Sequence, residues 1–152
     1  HDVVYGQVLQ LVTLVRQEHS QYRHLAQRDN IAGHCQLPGY RAQARDAIAA
    51  TQLLQDASDL QSAGAQMLVL ESIPTVLAEE VTQHLSIPTI GIGAGPHCNG
   101  QVLVLQDLLG LTPKPPRFAR DFLAGALNID AAIRDYVAAV KAGEFPGPEH
   151  GF

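Results

Sequence analysis

Apolar residues along this chain come in two rhythms, and the switch between them sets the expected elements. "MLVL" at residues 67–70 and "IPTIGI" at residues 87–92 are short, almost unbroken apolar runs. Such runs predict buried strands. Between them, Thr75 to about Leu85 has helical spacing, with the acids Glu79 and Glu80 in its first half, where a helix dipole tolerates them. Upstream, residues 42–63 read as a long helix whose apolar face carries Ala47, Leu53, Leu54, Ala57 and Leu60, with Gly64 as its C-terminal cap. Closer to the start, Leu11–Val15 reads as a buried strand and Ile31-Ala32 as a weak one ending at Gly33. Residues 2–10 and 20–28 read as short helices, and Leu37–Tyr40 as a turn.

Past Gly100 the alternation weakens. Residues 102–109 predict a short helix, Pro113–Pro116 a break, and residues 117–127 and 130–142 two closing helices. The tail "GEFPGPEHGF", rich in glycine and proline, predicts an extended strap over residues 143–152 or a disordered end. Apolar strands alternating with helices predict an α/β fold with a parallel sheet covered by helices, in one domain over residues 1–152.

Composition narrows the function classes. The chain has 152 residues, 46% hydrophobic and 16% charged, which suits a folded domain with a real core. Ten basic against fifteen acidic residues give a net charge of −5, without a Lys/Arg cluster, so nucleic acid is not an expected partner. No apolar run is long enough for a membrane span. Cys35 and Cys98 have no metal or redox spacing, which predicts free thiols in a reducing, cytoplasmic setting. The opening at His1, with no Met, predicts a processed, trimmed or incomplete chain.

In parallel α/β proteins ligands bind beyond the carboxyl ends of the strands. Residues there are Arg16, then Gly33 and His34, then Glu71, then "GIGAGPHCNG" at residues 91–100. Glu71 reads either as a solvated or helix-capping acid, or as a general base whose partial burial lifts its pKa. His34 reads as a hydrogen-bonded loop residue or as a site residue. Gly91, Gly93 and Gly95 allow a tight turn or a close backbone approach. They are not a dinucleotide fingerprint, because Pro96 occupies the last required glycine and brings no N–H to a phosphate. The adjacent pairs His34-Cys35 and His97-Cys98 lack zinc-ligand spacing.

Residues 53–113, from "LLQDASDLQSAGAQMLVLESIP" through "TIGIGAGPHCNGQVLVLQDLLGLTP", resemble the ketopantoate hydroxymethyltransferase family, as does the tail "FPGPEHGF". The resemblance implies a (β/α)8 TIM-type barrel, incomplete in this chain, with about five parallel strands and their helices. It implies transfer of a hydroxymethyl group from 5,10-methylenetetrahydrofolate to the keto acid 3-methyl-2-oxobutanoate, a step of pantothenate synthesis, with Mg2+ chelating the keto acid. It implies homo-oligomers, Glu71 as the base that removes the C3 proton, Gly33 and His34 lining the substrate, and Gly91, Gly93 and Gly95 as an active-site loop.

The chain departs from that pattern in its first part. The family's Gly-Asp-Ser and Asp-Leu-Pro-Phe metal motifs are absent, and aligning Val12–Val15 with its Val-Lys-x-Glu strand puts Thr13 at the lysine and Val15 at the glutamate. No metal ligands are found in this chain. Asn99 stands where many members have Asp, and Gln106 where many have His. Three expectations stay open: a piece of a longer barrel, a divergent paralogue acting as an interaction subunit, or two chains completing one another. A phosphate-binding barrel is the competing enzyme class.

Overall fold

The structure, a computed structural model, describes residue 44 and residues 46–152. The strands expected at Leu11–Val15 and Ile31-Ala32, the helices at 2–10 and 20–28, and the turn at Leu37–Tyr40 lie outside the described residues.

Helix α1 is Ala47–Ser62. It starts later than the periodicity suggests, because the Asp46 side chain accepts the N–H of Ala49 and caps the first turn. Ala57 and Leu60 are buried, with Ala50, Leu53 and Leu54 packed beside them, whereas Ala47 is exposed. Gly64, at φ +96°, ends the helix as expected: its N–H reaches the carbonyl of Gln61 from a left-handed conformation.

Strand β1 is Leu68–Glu71, helix α2 Thr75–His84, and strand β2 Thr89–Ile92. A two-residue strand β3, Gly100–Gln101, follows β2. All pairing is parallel, in the order β1-β2-β3, with Leu68 opposite Thr89 and Glu71 opposite Ile92. In that register Leu68, Leu70 and Thr89 share one face, which the helices cover. Leu68 and Leu70 join Leu77, Ala78 and Val81 of α2 and Ala57 and Leu60 of α1 in one core. Each large aliphatic buried there contributes about 1.5–3 kcal/mol. Val69, Glu71 and Ile90 face the other way; Val69, Glu71 and Ile90 are only half-buried among the described residues.

The spacing of α1 and β2 hangs on one amide. Gln61 Oε1 accepts from Ser86 N, Ser86 Oγ and Ile87 N, which fixes the connection out of α2.

Beyond β3, helix α3 is only Leu105–Leu108, and α4 is Ile129–Lys141, capped by the Asn128 side chain on the N–H of Ala131. A helix over residues 102–109 is therefore corrected to one turn preceded by a strand. Residues 117–127 form no helix. The Asp121 carboxylate instead accepts the N–H groups of Leu123 and Ala124, and Gly125 turns at φ +88°. A second core gathers Leu108, Leu109, Phe122, Ala132, Ala139 and Phe145. Phe122, Tyr136 and Phe145 meet pairwise edge-on, with centroids 5.3–5.8 Å apart. The tail is ordered. Phe145 and His150 are buried, and Pro148–His150 forms a single 3-10 turn.

Candidate active site at the carboxyl ends of the strands

Glu71 is the last residue of β1, rather than the first residue after it. Its neighbour Ser72 is buried in a left-handed conformation, φ +52°, and donates its N–H to the Ile92 carbonyl at 2.9 Å. That bond ties the β1 exit to the end of β2. The chain then has only Ser72, Ile73 and Pro74 in which to enter α2, and Ile73 is spent filling the core. Strained backbone at a strand exit is a recurrent feature of functional sites. Among the described residues no hydrogen bond or ion pair reaches the Glu71 carboxyl. Burial alone pushes its pKa from the ordinary 4.5 up to about 7.

The glycine loop leaves β2 beside this carboxylate. Gly91 lies within β2, against Cys98 and Gln101. Gly93 and Gly95 are left-handed, at φ +62° and +74°. A Cβ on Gly93 would stand 2.5 Å from the Phe118 ring, and one on Gly95 would collide with the Thr75 side chain. The glycines thus admit side chains from elsewhere in the chain. The loop's far end is pinned by Asn99, whose Oδ1 accepts the Thr89 N–H at 2.9 Å and so adds a side-chain rung to the β2–β3 ladder. Thr89 Oγ1 in turn pairs with Thr82 Oγ1 at 2.8 Å, and Gln101 Nε2 donates to the Gly95 carbonyl at 2.9 Å.

The tail reaches this same place. The Thr75 N–H, a first-turn donor without a helical partner, donates to the Phe152 carbonyl at 3.0 Å. The Phe118 and Phe152 rings meet edge-on at 6.3 Å, and Arg117 Nε donates to the Glu149 carbonyl at 2.9 Å. His150 Nδ1 accepts the Gly147 N–H at 3.0 Å, so its 3.4 Å approach to Glu149 is a contact without the shared proton of an ion pair.

Of the sequence-predicted site residues, the structure therefore brings Glu71, Gly91, Gly93 and Gly95 to one end of the sheet. Gly33 and His34 lie outside the described residues. Thr75, Phe118 and Phe152 were not foreseen there; the two left-handed glycines signal that something must fill the space, but not what. A groove of about 490 Å³ between residues 120–126 and α4 contains none of these residues. It lies apart from the strand ends, and the carboxylate and loop geometry outweigh its size as a guide to chemistry. Among the described residues no group of three or more His, Cys, Asp or Glu could hold a metal, and no helix is long and apolar enough to cross a membrane.

A parallel sheet with helices on one face, and at its carboxyl edge a carboxylate without a partner among the described residues, defines an α/β protein whose candidate site lies at the strand ends. A family model for ketopantoate hydroxymethyltransferase matches residues 32–148, and the chain belongs to that family. It is 57% identical over 115 residues to proteins of Burkholderia multivorans and Burkholderia mallei, each called 3-methyl-2-oxobutanoate hydroxymethyltransferase. The alignment covers 75% of this chain and 42% of each relative. The chain thus spans about two fifths of the length of the curated relatives it matches.

Proposed function

We propose that this chain contributes the base-bearing part of a 3-methyl-2-oxobutanoate hydroxymethyltransferase, with Glu71 as the general base. The observation that carries the proposal is the Glu71 carboxylate itself: it stands at a strand's carboxyl end, half-buried and without a hydrogen-bond or ion-pair partner among the described residues, and burial pushes its pKa up to about 7. Proton transfer is most efficient when the base's pKa lies near the working pH. A carboxylate at 4.5 would be too weak to take a proton from carbon, and one at about 7 is both stronger and substantially ionised at neutral pH.

In the proposed step the ionised Glu71 carboxyl takes the C3 proton of the keto acid. The electron pair of the C–H bond moves into the adjacent ketone as an enolate. Water cleaves both C–N bonds that hold the methylene carbon of the second substrate, 5,10-methylenetetrahydrofolate, releasing tetrahydrofolate and leaving that carbon at the level of formaldehyde. C3 attacks it, the C=O π pair moves to oxygen, and the alkoxide takes up a proton to give the hydroxymethyl group. Mg2+, where present on the keto acid, supplies Lewis-acid stabilisation of the enolate. The described residues offer it no ligand set, and no step here runs through it. By family resemblance Gly33 and His34 line the keto acid, and the loop carrying Gly91, Gly93 and Gly95 walls the site.

Two further features fit the same reading. The half-buried sheet face bearing Val69, Glu71 and Ile90 is the inner face of a (β/α)8 barrel completed by strands beyond the three described. Ile129, Ile133 and Val137 form an exposed apolar row at i, i+4 spacing on α4, which supports homo-oligomer assembly. The setting is cytoplasmic.

C3 proton exchange tests the proposal. The keto acid is incubated with the chain in D2O, with and without Mg2+, and its C3 proton followed by NMR. Exchange is expected to rise with pH through about 7 and to fall about 10²–10⁴-fold in Glu71→Gln. Exchange absent in the wild-type chain, or unchanged in Glu71→Gln, would remove Glu71 from the role.

A further inference from the structure

The glycine loop, the β1 exit and the tail form a closed ring of contacts. Gly93 lies under the Phe118 ring, Phe118 meets Phe152, the Phe152 carbonyl holds the Thr75 N–H, and the Thr75 side chain fills the space over Gly95. Gly151 completes the tail's approach, since a Cβ there would stand 2.7 Å from Thr75 Oγ1. The two elements the ring clamps are those that flank Glu71. Thr75 terminates the three-residue connection out of β1. Gly93 follows Ile92, which is paired with Glu71 in register and holds the Ser72 N–H.

From this arrangement we infer that Phe152 is a positioning residue for Glu71. This inference rests on the reading of Glu71 as the base. Phe152 makes no hydrogen bond or ion pair with the Glu71 carboxyl; its contacts are with Thr75 and Phe118. It acts through both neighbours of Glu71 at once: its main chain fixes the start of α2, and its ring presses Phe118 onto the glycine loop. Removing the ring releases the Phe118 side and weakens the main-chain seat on Thr75. The carboxylate then samples directions in which it cannot meet a C–H bond, and small misplacements of a catalytic group are costly in rate.

The test compares wild type, Phe152→Ala and Phe152→Tyr by amide hydrogen exchange and by the keto-acid C3 exchange assay. In Phe152→Ala, the amides of Ser72, Thr75, Gly93 and Gly95 are expected to exchange about tenfold faster, while those of α1 are unchanged. The kcat for C3 exchange is expected to fall about tenfold with KM within about twofold, because the loss is of orientation and not of binding. Phe152→Tyr keeps the ring and restores both readouts. Unchanged protection at the four amides, an equal loss across α1, or lost protection without a loss in kcat would each overturn the inference. If the wild-type chain itself exchanges no C3 proton, the enzymatic reading fails separately, and the amide pattern alone decides whether Phe152 holds the Glu71 turn.

Discussion

Replacing Glu71 by Gln should make the chain more stable, and more so as pH rises. Glutamine keeps the volume and polarity of the side chain but cannot ionise. In the folded state the Glu71 pKa is lifted from 4.5 to about 7 by burial. Below 4.5 the carboxyl is protonated whether the chain is folded or not, and ionisation has no effect on stability. Between 4.5 and about 7 the unfolded chain releases its proton while the folded chain keeps it, so wild-type stability falls with rising pH. Above about 7 both states are ionised and the loss is complete. At full weight this shift corresponds to about 3 kcal/mol. The carboxyl is only half-buried, and water's access reduces the effect to about 1–2 kcal/mol. For a chain of this size that is about 3–6 °C in Tm. Thermal unfolding of both proteins from pH 4 to pH 8 should give matching midpoints at the acid end and a gap that opens through pH 5–7 and then stays constant. A gap that is constant across the whole range, or that opens in the opposite sense, would refute the assignment of burial as the cause.

The loop and its anchor give two further expectations. Gly93→Ala combines a left-handed backbone with a methyl group driven against the buried Phe118 ring, and urea unfolding should show a loss of about 2–4 kcal/mol. Asn99→Ala leaves the buried Thr89 N–H without its acceptor and should cost about 1–3 kcal/mol; Asn99→Asp, which keeps an acceptor at the same place, should recover most of it.

Much of the sheet and its helices was legible in the pattern. The runs at 67–70 and 87–92 are β1 and β2 with their ends moved by one or two residues, and Thr75 to about Leu85 is α2 almost to the residue. Local spacing suffices there because each element packs on its nearest neighbours in sequence. Residues 117–127 show where it fails. Phe118 and Phe122 are four apart, so a helix would point both the same way. The fold needs them in different places: Phe118 over Gly93, and Phe122 against Tyr136 and Phe145. Two distant demands thus override a plausible local periodicity. For the site, strand-end position marked Glu71 and the glycine loop, since that rule needs only sequence order. The residues that fill the space over Gly93 and Gly95 arrive from far along the chain, where spacing carries no signal.

The bond between the Thr75 N–H and the Phe152 carbonyl also orders events in time. The contacts of α1, β1, α2 and β2 join segments close in sequence, and such segments close short loops first. The partner of Thr75, Phe152, lies far downstream in sequence, and synthesis proceeds from the N-terminus. A nascent chain can therefore assemble its helix-on-sheet core well before it can lock the turn beside Glu71, so the candidate base gains its final seat only after Phe152 has left the exit tunnel.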